Sequence, residues 1–346
     1  MMTARAMLDR LLERIDLSQA EAGELLLILT DQQTLPAMAG ALLVALRAKG
    51  MTADELRGLA IGMRAIARRP QLPDGSPLVD MVGTGGDGSG SFNLSTGAAL
   101  LTAAMGVRIA KHGTSSISSR SGSADVIRAL GLSLPLDEKA AGECLAATGF
   151  TFLFAPHYHP GMKAIMPIRQ ALGVRTVFNV LGPLLNPAAP PFHLIGAYHI
   201  DVAALMAETL AGMPIERTYV VHGDPGWDEA TPVGTFTLFD VRPGKVIRIN
   251  RSAEEFGLPR CTPEELMGGD AAYNAEHLRA VLEGRDRSAH RNAIVLQAAL
   301  VLEMLDKAQS PRAAARMAED AIEAGAGRIL LDKLAAFGRR HQAVAG

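Results

Sequence analysis

The apolar and polar positions of this chain fall into two regimes. Residues 1–70 read as helical throughout, and the segments 24–30, 35–48 and 56–67 carry much apolar surface for short helices. Ser18 with Glu21 and Thr52 with Glu55 form capping boxes. Pro36 suits the first turn of the helix that starts near Leu35, and Gly50 closes it. The apolar surface has three outlets: packing within the helical unit, a subunit contact, or packing on the next domain. Pro70, Pro73, Gly75 and Pro77 then break the helical pattern and mark a linker.

From 78 onward strands alternate with helices. The runs 78–82, 107–110, 150–155, 193–198 and 219–222 read as strands, and 235–241 with 245–250 read as a hairpin. Helices are predicted over 97–105, 124–129, 136–148, 161–172, 202–210, 271–282, 287–305, 311–324 and from 328. This pattern predicts an α/β fold. A small N-terminal helical domain, 1–72, is followed by a large α/β domain, 78–346, with a mostly parallel central sheet and surrounding helices.

Candidate chemistry gathers in 78–125. A buried strand runs into Gly83, Gly85, Gly86, Gly88 and Gly90, and Asn93, Ser95 and Thr96 then stand at a helix N-terminus. A second strand ends in Lys111 and His112, followed by a loop of six serines and two glycines over 113–123. Glycines let the backbone approach a ligand, and free N–H groups with a helix dipole favour anions. The stretch reads as a phosphate cradle with room for two anionic groups. GTGGDG also matches the dinucleotide fingerprint, but that needs an acidic residue about 20 positions on. None lies between Asp87 and Asp125, and no Gly-Lys-Ser/Thr follows the glycines. Two polar loops after consecutive strands favour a ligand over a mere tight turn.

Charge and composition remove other classes. The chain has 34 basic and 36 acidic residues among 346, a net charge of −2, which leaves no electrostatic footprint for nucleic acid or an anionic membrane. Arg64, Arg68 and Arg69 read as a solvated helix face. Cys144 and Cys261 fit neither a metal spacing nor a disulfide framework. No signal peptide is apparent, and the longest apolar run, 293–305, is interrupted by Gln297 and Glu303, so a cytoplasmic protein is expected. His157 and His159 stand two apart after an aromatic strand, but no third ligand lies near them in sequence. Asp228 and Glu229 follow a buried strand. Spacing alone allows equally a metal-binding pair and a helix first turn.

GTGGDG at 83–88, FNLST at 92–96, KHG at 111–113 and SGSAD at 121–125 resemble the anthranilate phosphoribosyltransferases of tryptophan biosynthesis. The resemblance covers nearly the whole chain. It implies transfer of 5-phosphoribosyl from phosphoribosyl diphosphate to the amine of anthranilate, with Mg²⁺ and a homodimer formed through the helical domain. By the same resemblance Gly83, Gly85, Gly86, Asp87, Asn93, Ser95, Thr96, Lys111 and Ser118 are expected to bind the donor. Asp228, Glu229 and the Ser95 hydroxyl are expected to hold Mg²⁺. His112, Gly113, Thr114, Ala155, His159, Arg169, Gly182 and Pro183 match the acceptor side, with Arg169 meeting the acceptor carboxylate. No general base is obvious, and His112 and His159 are the candidates for contact or proton shuttling.

Residues 175–187 resemble the family's RTxFNLLGPLTNP stretch, with Leu185 where the family has Thr. About 165–190 is thus expected to cross back onto the helical domain. One departure bears on the acceptor. The family's KHGNR reads KHGTS here, so Thr114-Ser115 replace an amide and a fixed positive charge, which Arg120 could partly restore. The alternatives are a paralogue acting on another aromatic amine or heterocycle, a nucleoside phosphorylase, or a non-catalytic nucleic-acid-binding paralogue. The complete Asn93/Ser95/Thr96 motif with Asp228-Glu229 favours the transferase, and a net charge of −2 argues against nucleic acid.

Overall fold

The computed structural model describes residues 2–75, 77–116 and 120–345. Its centre is a seven-stranded sheet of β1 (Leu78–Gly83), β2 (Arg108–Gly113), β3 (Phe150–Phe154), β4 (Phe192–Gly196), β5 (Arg217–Gly223), β6 (Thr235–Arg242) and β7 (Lys245–Ser252), in the order β3-β2-β1-β4-β5-β6-β7. The first five strands are parallel; β6 and β7 form the antiparallel hairpin at one edge. From β1 the chain proceeds outward to β2 and β3, then returns to β4 on the other side. The crevice between the carboxyl ends of β1 and β4 is therefore a topological switch point, where open α/β sheets bind ligands.

One sheet face is covered by helices Leu94–Ala104, Ala289–Met304, Pro311–Glu323 and Ala326–Ala345. Helix Ala289–Met304 is buried on nearly all sides, as its almost unbroken apolar sequence requires. The other face packs on helix Ile200–Ala211 and, beyond it, on the N-terminal helices. Leu56, Leu59 and Met63 share one core with Met206, Leu210, Val220 and Phe239. Much of the apolar surface of the helical unit is thus spent on the neighbouring domain.

The N-terminal region is helical, as the sequence predicts. It contains helices Ala4–Leu12, Gln19–Thr30, Pro36–Lys49 and Ala53–Ala65, and both predicted capping boxes form. The helices before these caps end earlier, the first at Leu12, where Arg14 takes a φ of 60°, and the second at Lys49, where Gly50 takes a φ of 90°. Helices Gln19–Thr30 and Ala53–Ala65 touch through glycine: a Cβ on Gly58 would stand 2.1 Å from the Gln19 carbonyl oxygen. Ile165, Phe178, Leu181 and Leu184 lie in the same core as the N-terminal helices.

Several boundaries differ from the sequence expectation. Lys111 and His112 lie inside β2, which pairs with β3 as far as Gly113, rather than just after a strand. His157 sits on a short helix, Ala155–Tyr158, which begins inside the expected strand 150–155.

Candidate active site

The crevice is built where β1 gives way to its glycine loop. Gly85 takes a positive φ of 65° and aims its N–H at Asp228, whose Oδ2 accepts it at 2.6 Å. A Cβ on Gly83 would stand 2.3 Å from that same oxygen, and one on Gly196 only 1.6 Å from the Asp228 carbonyl oxygen. Bare Cα atoms at the ends of β1 and β4 are what admit the loop after β5. Asp87 braces the two loops. One of its oxygens accepts the Ser89 N–H at 3.0 Å and the other the Asp228 N–H at 3.3 Å.

Glu229 points to the head of helix Leu94–Ala104, where Ser95 N–H donates to its Oε1 at 3.3 Å. Asn93, the N-cap residue, does not cap this helix with its side chain. Its Oδ1 accepts from Asn274 at 2.7 Å and its amide donates to the Ser121 carbonyl at 3.4 Å. Thr96 is buried beside it. Lys111 reaches in from β2, 2 % exposed, donating to the Met81 carbonyl with its ammonium 3.5 Å from the Ser95 hydroxyl. Gly86 is held from outside: Arg175 donates to its carbonyl while stacking on the Tyr198 ring at 4.0 Å. Ser118 lies outside the described residues.

The electrostatics of this side are unbalanced. Burial first, then Glu229 and Asp87, push the Asp228 carboxyl well above its ordinary range. Burial pushes Glu229 up to about 7, against the opposing pull of Lys111 and Gln297. Burial lowers Lys111, opposed by Asp80, Glu229 and Asp228. Three carboxylates meet one lysine, and a hard cation with oxygen preference would relieve that excess. Asp228, Glu229 and the Ser95 hydroxyl offer the oxygen donors Mg²⁺ takes, so the residues fit the ion.

The opposite sheet face carries a different set. His112 and His159 meet edge to face, ring centroids 5.1 Å apart, both buried. Burial, then His159 and Arg64, holds His112 well below the ordinary imidazole value. Burial brings His159 down to about 4. Both rings are neutral at pH 7. Arg64 belongs with them: its Nε donates to the Leu184 carbonyl at 2.7 Å and its Nη2 is shut off from solvent. The expectation of a solvated face fails for this arginine, because the crossing segment folds over it. Beneath it lies Asp80, fully buried in β1 and pushed up by burial to about 6, accepting from the His112 N–H and the Asn186 amide.

Gly182 and Pro183 form a 3-10 turn on the crossing segment, and Ala155 opens the short helix that carries the chain toward His159. Arg169 stacks over Phe178 at 5.6 Å and has no carboxylate in ion-pair reach among the described residues. It is a half-buried cation whose desolvation no acidic side chain among the described residues offsets. Gly113 closes β2, and a Cβ there would meet the Phe152 ring at 2.8 Å. At the departure from the family motif, the Thr114 carbonyl accepts from Ala124 N–H. Ser115 is approached by Arg128, whose Nη1 donates to its hydroxyl at 3.0 Å and whose guanidinium covers the Phe154 ring at 4.9 Å. Arg128 thus brings charge to Ser115 while also pairing with Asp125 at 3.3 Å.

Comparison with known proteins bears directly on this site. Family models describe residues 5–67 as a glycosyl transferase family helical bundle domain and 75–328 as a glycosyl transferase family a/b domain. The chain is 43 % identical to an anthranilate phosphoribosyltransferase of Azorhizobium caulinodans over 96 % of its length and 95 % of the relative's. It is 42 % identical to one from Rubrobacter xylanophilus, covering 94 % of each. The structure of the Thermus thermophilus enzyme superposes with a TM-score of 0.90 at 39 % identity, covering 96 % of this chain and 99 % of that one. The chain belongs to the anthranilate phosphoribosyltransferase family. The Saccharomyces cerevisiae member, solved in complex with phosphoribosyl diphosphate and Mg, superposes at 0.89 with 28 % identity, covering 97 % of this chain and 98 % of that one.

For a member of this family, the geometry joins the residues expected to bind the donor, apart from Ser118, around one crevice, and places His112, His159, Gly182 and Pro183 across the sheet from it. Sequence reading missed Asp80, Arg64, Asn186, Asn274 and Arg175. Asp80 left a trace, a lone charge inside the apolar run 78–82, and Arg175 opened a motif already read for another purpose.

Proposed function

We propose that this enzyme transfers the 5-phosphoribosyl group of phosphoribosyl diphosphate to the amine of anthranilate and releases diphosphate. The observation that carries the reading is the buried Asp228–Glu229 pair, set under the Gly85 N–H with Lys111 behind it. The loop N–H groups, the head of helix Leu94–Ala104 and Lys111 would receive the donor's phosphates. Mg²⁺, held by Asp228, Glu229 and Ser95, would neutralise the charge of the departing diphosphate. The C1–O bond to diphosphate breaks and its electron pair leaves with diphosphate. The amine lone pair forms the new C1–N bond, and the nitrogen then loses a proton. Positioning and fixed dipoles supply most of the acceleration.

An aromatic amine is uncharged at neutral pH and needs no strong base. His112 and His159, held neutral by burial, suit contact with such an amine better than proton shuttling, since both are weak bases. Arg169 would hold the carboxylate. One observation favours a second reading: with Ser115 held by Arg128 in place of the family's Asn-Arg pair, the pocket could be cut for another aromatic amine.

The division into domains 1–72 and 78–346 draws support from the two family-model segments, and the crossing of 165–190 from Ile165, Phe178, Leu181 and Leu184, which share a core with the N-terminal helices. A homodimer through the helical unit is supported by Leu27, Leu35, Val44 and Ile61, large apolar side chains left exposed there. No helix of the described residues is long and apolar enough to cross a membrane, in keeping with a cytoplasmic enzyme.

The test is loss of anthranilate fluorescence on adding phosphoribosyl diphosphate with Mg²⁺. Turnover that disappears in Asp228→Asn/Glu229→Gln supports the function. Mg²⁺-dependent donor binding without turnover would discard anthranilate, and absence of both would sink the transferase reading.

A further inference from the structure

His277, Asp286 and His290 stand together at the corner between helices Ala271–Leu282 and Ala289–Met304, their ligand-type atoms within 4.8 Å of one another. Neither the donor nor the acceptor chemistry uses them. We propose that they form a binding site for a divalent transition-metal ion of the zinc class, separate from the Mg²⁺ carboxylates.

Three features point to a ligand. Asp286 has no ion-pair partner among the described residues, and its Oδ1 is oriented by the Ser288 N–H at 2.6 Å, which leaves the other oxygen for an ion. The Nε2 of His290 lies 3.2 Å from the Met267 carbonyl, the outer partner that a ligating imidazole uses to fix its tautomer and ring plane. His277 and Asp286 are half-buried, so a fourth position stays open to water. Two imidazoles and one carboxylate suit zinc, cobalt or nickel and do not suit Mg²⁺. Ligand atoms on a tetrahedral ion stand roughly 3.3 Å apart. The triangle must therefore close by up to about 1.5 Å, and Asp286, on the short link between the helices, is the ligand with most freedom to move.

The corner touches the donor cradle. The Phe92 ring stacks on His290 at 4.3 Å between centroids, and Asn274, one helical turn before His277, donates to Asn93 at 2.7 Å.

The experiment titrates Co²⁺ into the chelator-treated full chain, in excess Mg²⁺, and reads the visible ligand-field bands of the cobalt. A parallel thermal melt follows Zn²⁺. The site predicts one equivalent of Co²⁺, a raised melting midpoint with Zn²⁺, and a loss of affinity of more than about tenfold in His277→Ala and in Asp286→Asn. Asp228→Asn/Glu229→Gln keeps the cobalt spectrum. His277 and Asp286 are half-buried, and circular dichroism verifies that their variants fold. Absence of bands in the wild type, or uptake unchanged in His277→Ala, would overturn the site and leave the two histidines as an aromatic brace on Phe92. Bands lost in the Asp228→Asn/Glu229→Gln variant would overturn it too, by assigning the ion to the crevice.

Discussion

On one side of the crevice Asp228 and Glu229 sit against a single buried lysine, with Asp87 beside the pair; on the other side two neutral histidines lie near Arg64, and Arg169 has no ion-pair partner among the described residues. Burial acts on both. In the first region it raises the carboxyls, which hold protons until a bound cation displaces them. In the second it strips the histidines of theirs and leaves arginines unpaired. On the function proposed above, one face of this sheet edge would take the metal-bound polyanion and the other the small, uncharged amine with its carboxylate. That division predicts that donor and acceptor binding can be broken one at a time.

The largest effect belongs to Asp228→Asn/Glu229→Gln. A fall in kcat/KM of at least about 10³-fold is expected, with loss of any Mg²⁺-induced rise in melting midpoint. Full activity in this variant would remove the metal role from the pair. Gly83→Ala comes next. Its methyl would collide with the Asp228 carboxylate and displace it, so a loss of roughly 100-fold in activity is expected with an unchanged circular dichroism spectrum. A near-normal rate would mean that the carboxylate position is not critical.

Arg169→Ala should raise the acceptor KM about 30-fold and leave the donor KM alone, the scale of a lost charge-assisted hydrogen bond. Equal changes in both constants would contradict the division. The fourth effect is one of stability. His159 titrates near 4 in the fold and near 6.5 when unfolded. Between those values the unfolded chain binds more protons, so stability is complete above pH 6.5 and is lost as pH falls toward 4. His159→Gln should flatten the denaturation profile by on the order of 2 kcal/mol at pH 5. A profile as steep as that of the wild type would contradict the neutral, buried assignment. The smallest effect is expected from Thr114→Asn/Ser115→Arg, which restores the family motif. Acceptor KM should fall a few-fold if Arg128 only partly replaces the missing charge, and no change would show that it replaces it fully.

The strand and helix order was legible because burial forces period-two and period-3.6 patterns on local sequence, and β1 with its glycine loop marked the place of the crevice. What escaped was non-local. Arg64 looked like one of three solvated arginines on a helix, yet its partner, the Leu184 carbonyl, is 120 residues away. Arg128 is likewise brought to Ser115 by the packing of helix Ser123–Ala129, not by spacing along the loop. Asp228 and Glu229 illustrate the boundary between the two. Their spacing allowed a helix turn as readily as a metal pair, and only the fold shows them buried against Gly83 and Ser95.

The central claim is best tested by calorimetric titration of two ligands into two variants. Phosphoribosyl diphosphate with Mg²⁺, and separately anthranilate, are titrated into Asp228→Asn/Glu229→Gln and into Arg169→Ala. The account predicts that the first variant loses donor binding and keeps anthranilate, and that the second does the reverse. Undiminished Mg²⁺-dependent donor binding by the acidic-pair variant would contradict it.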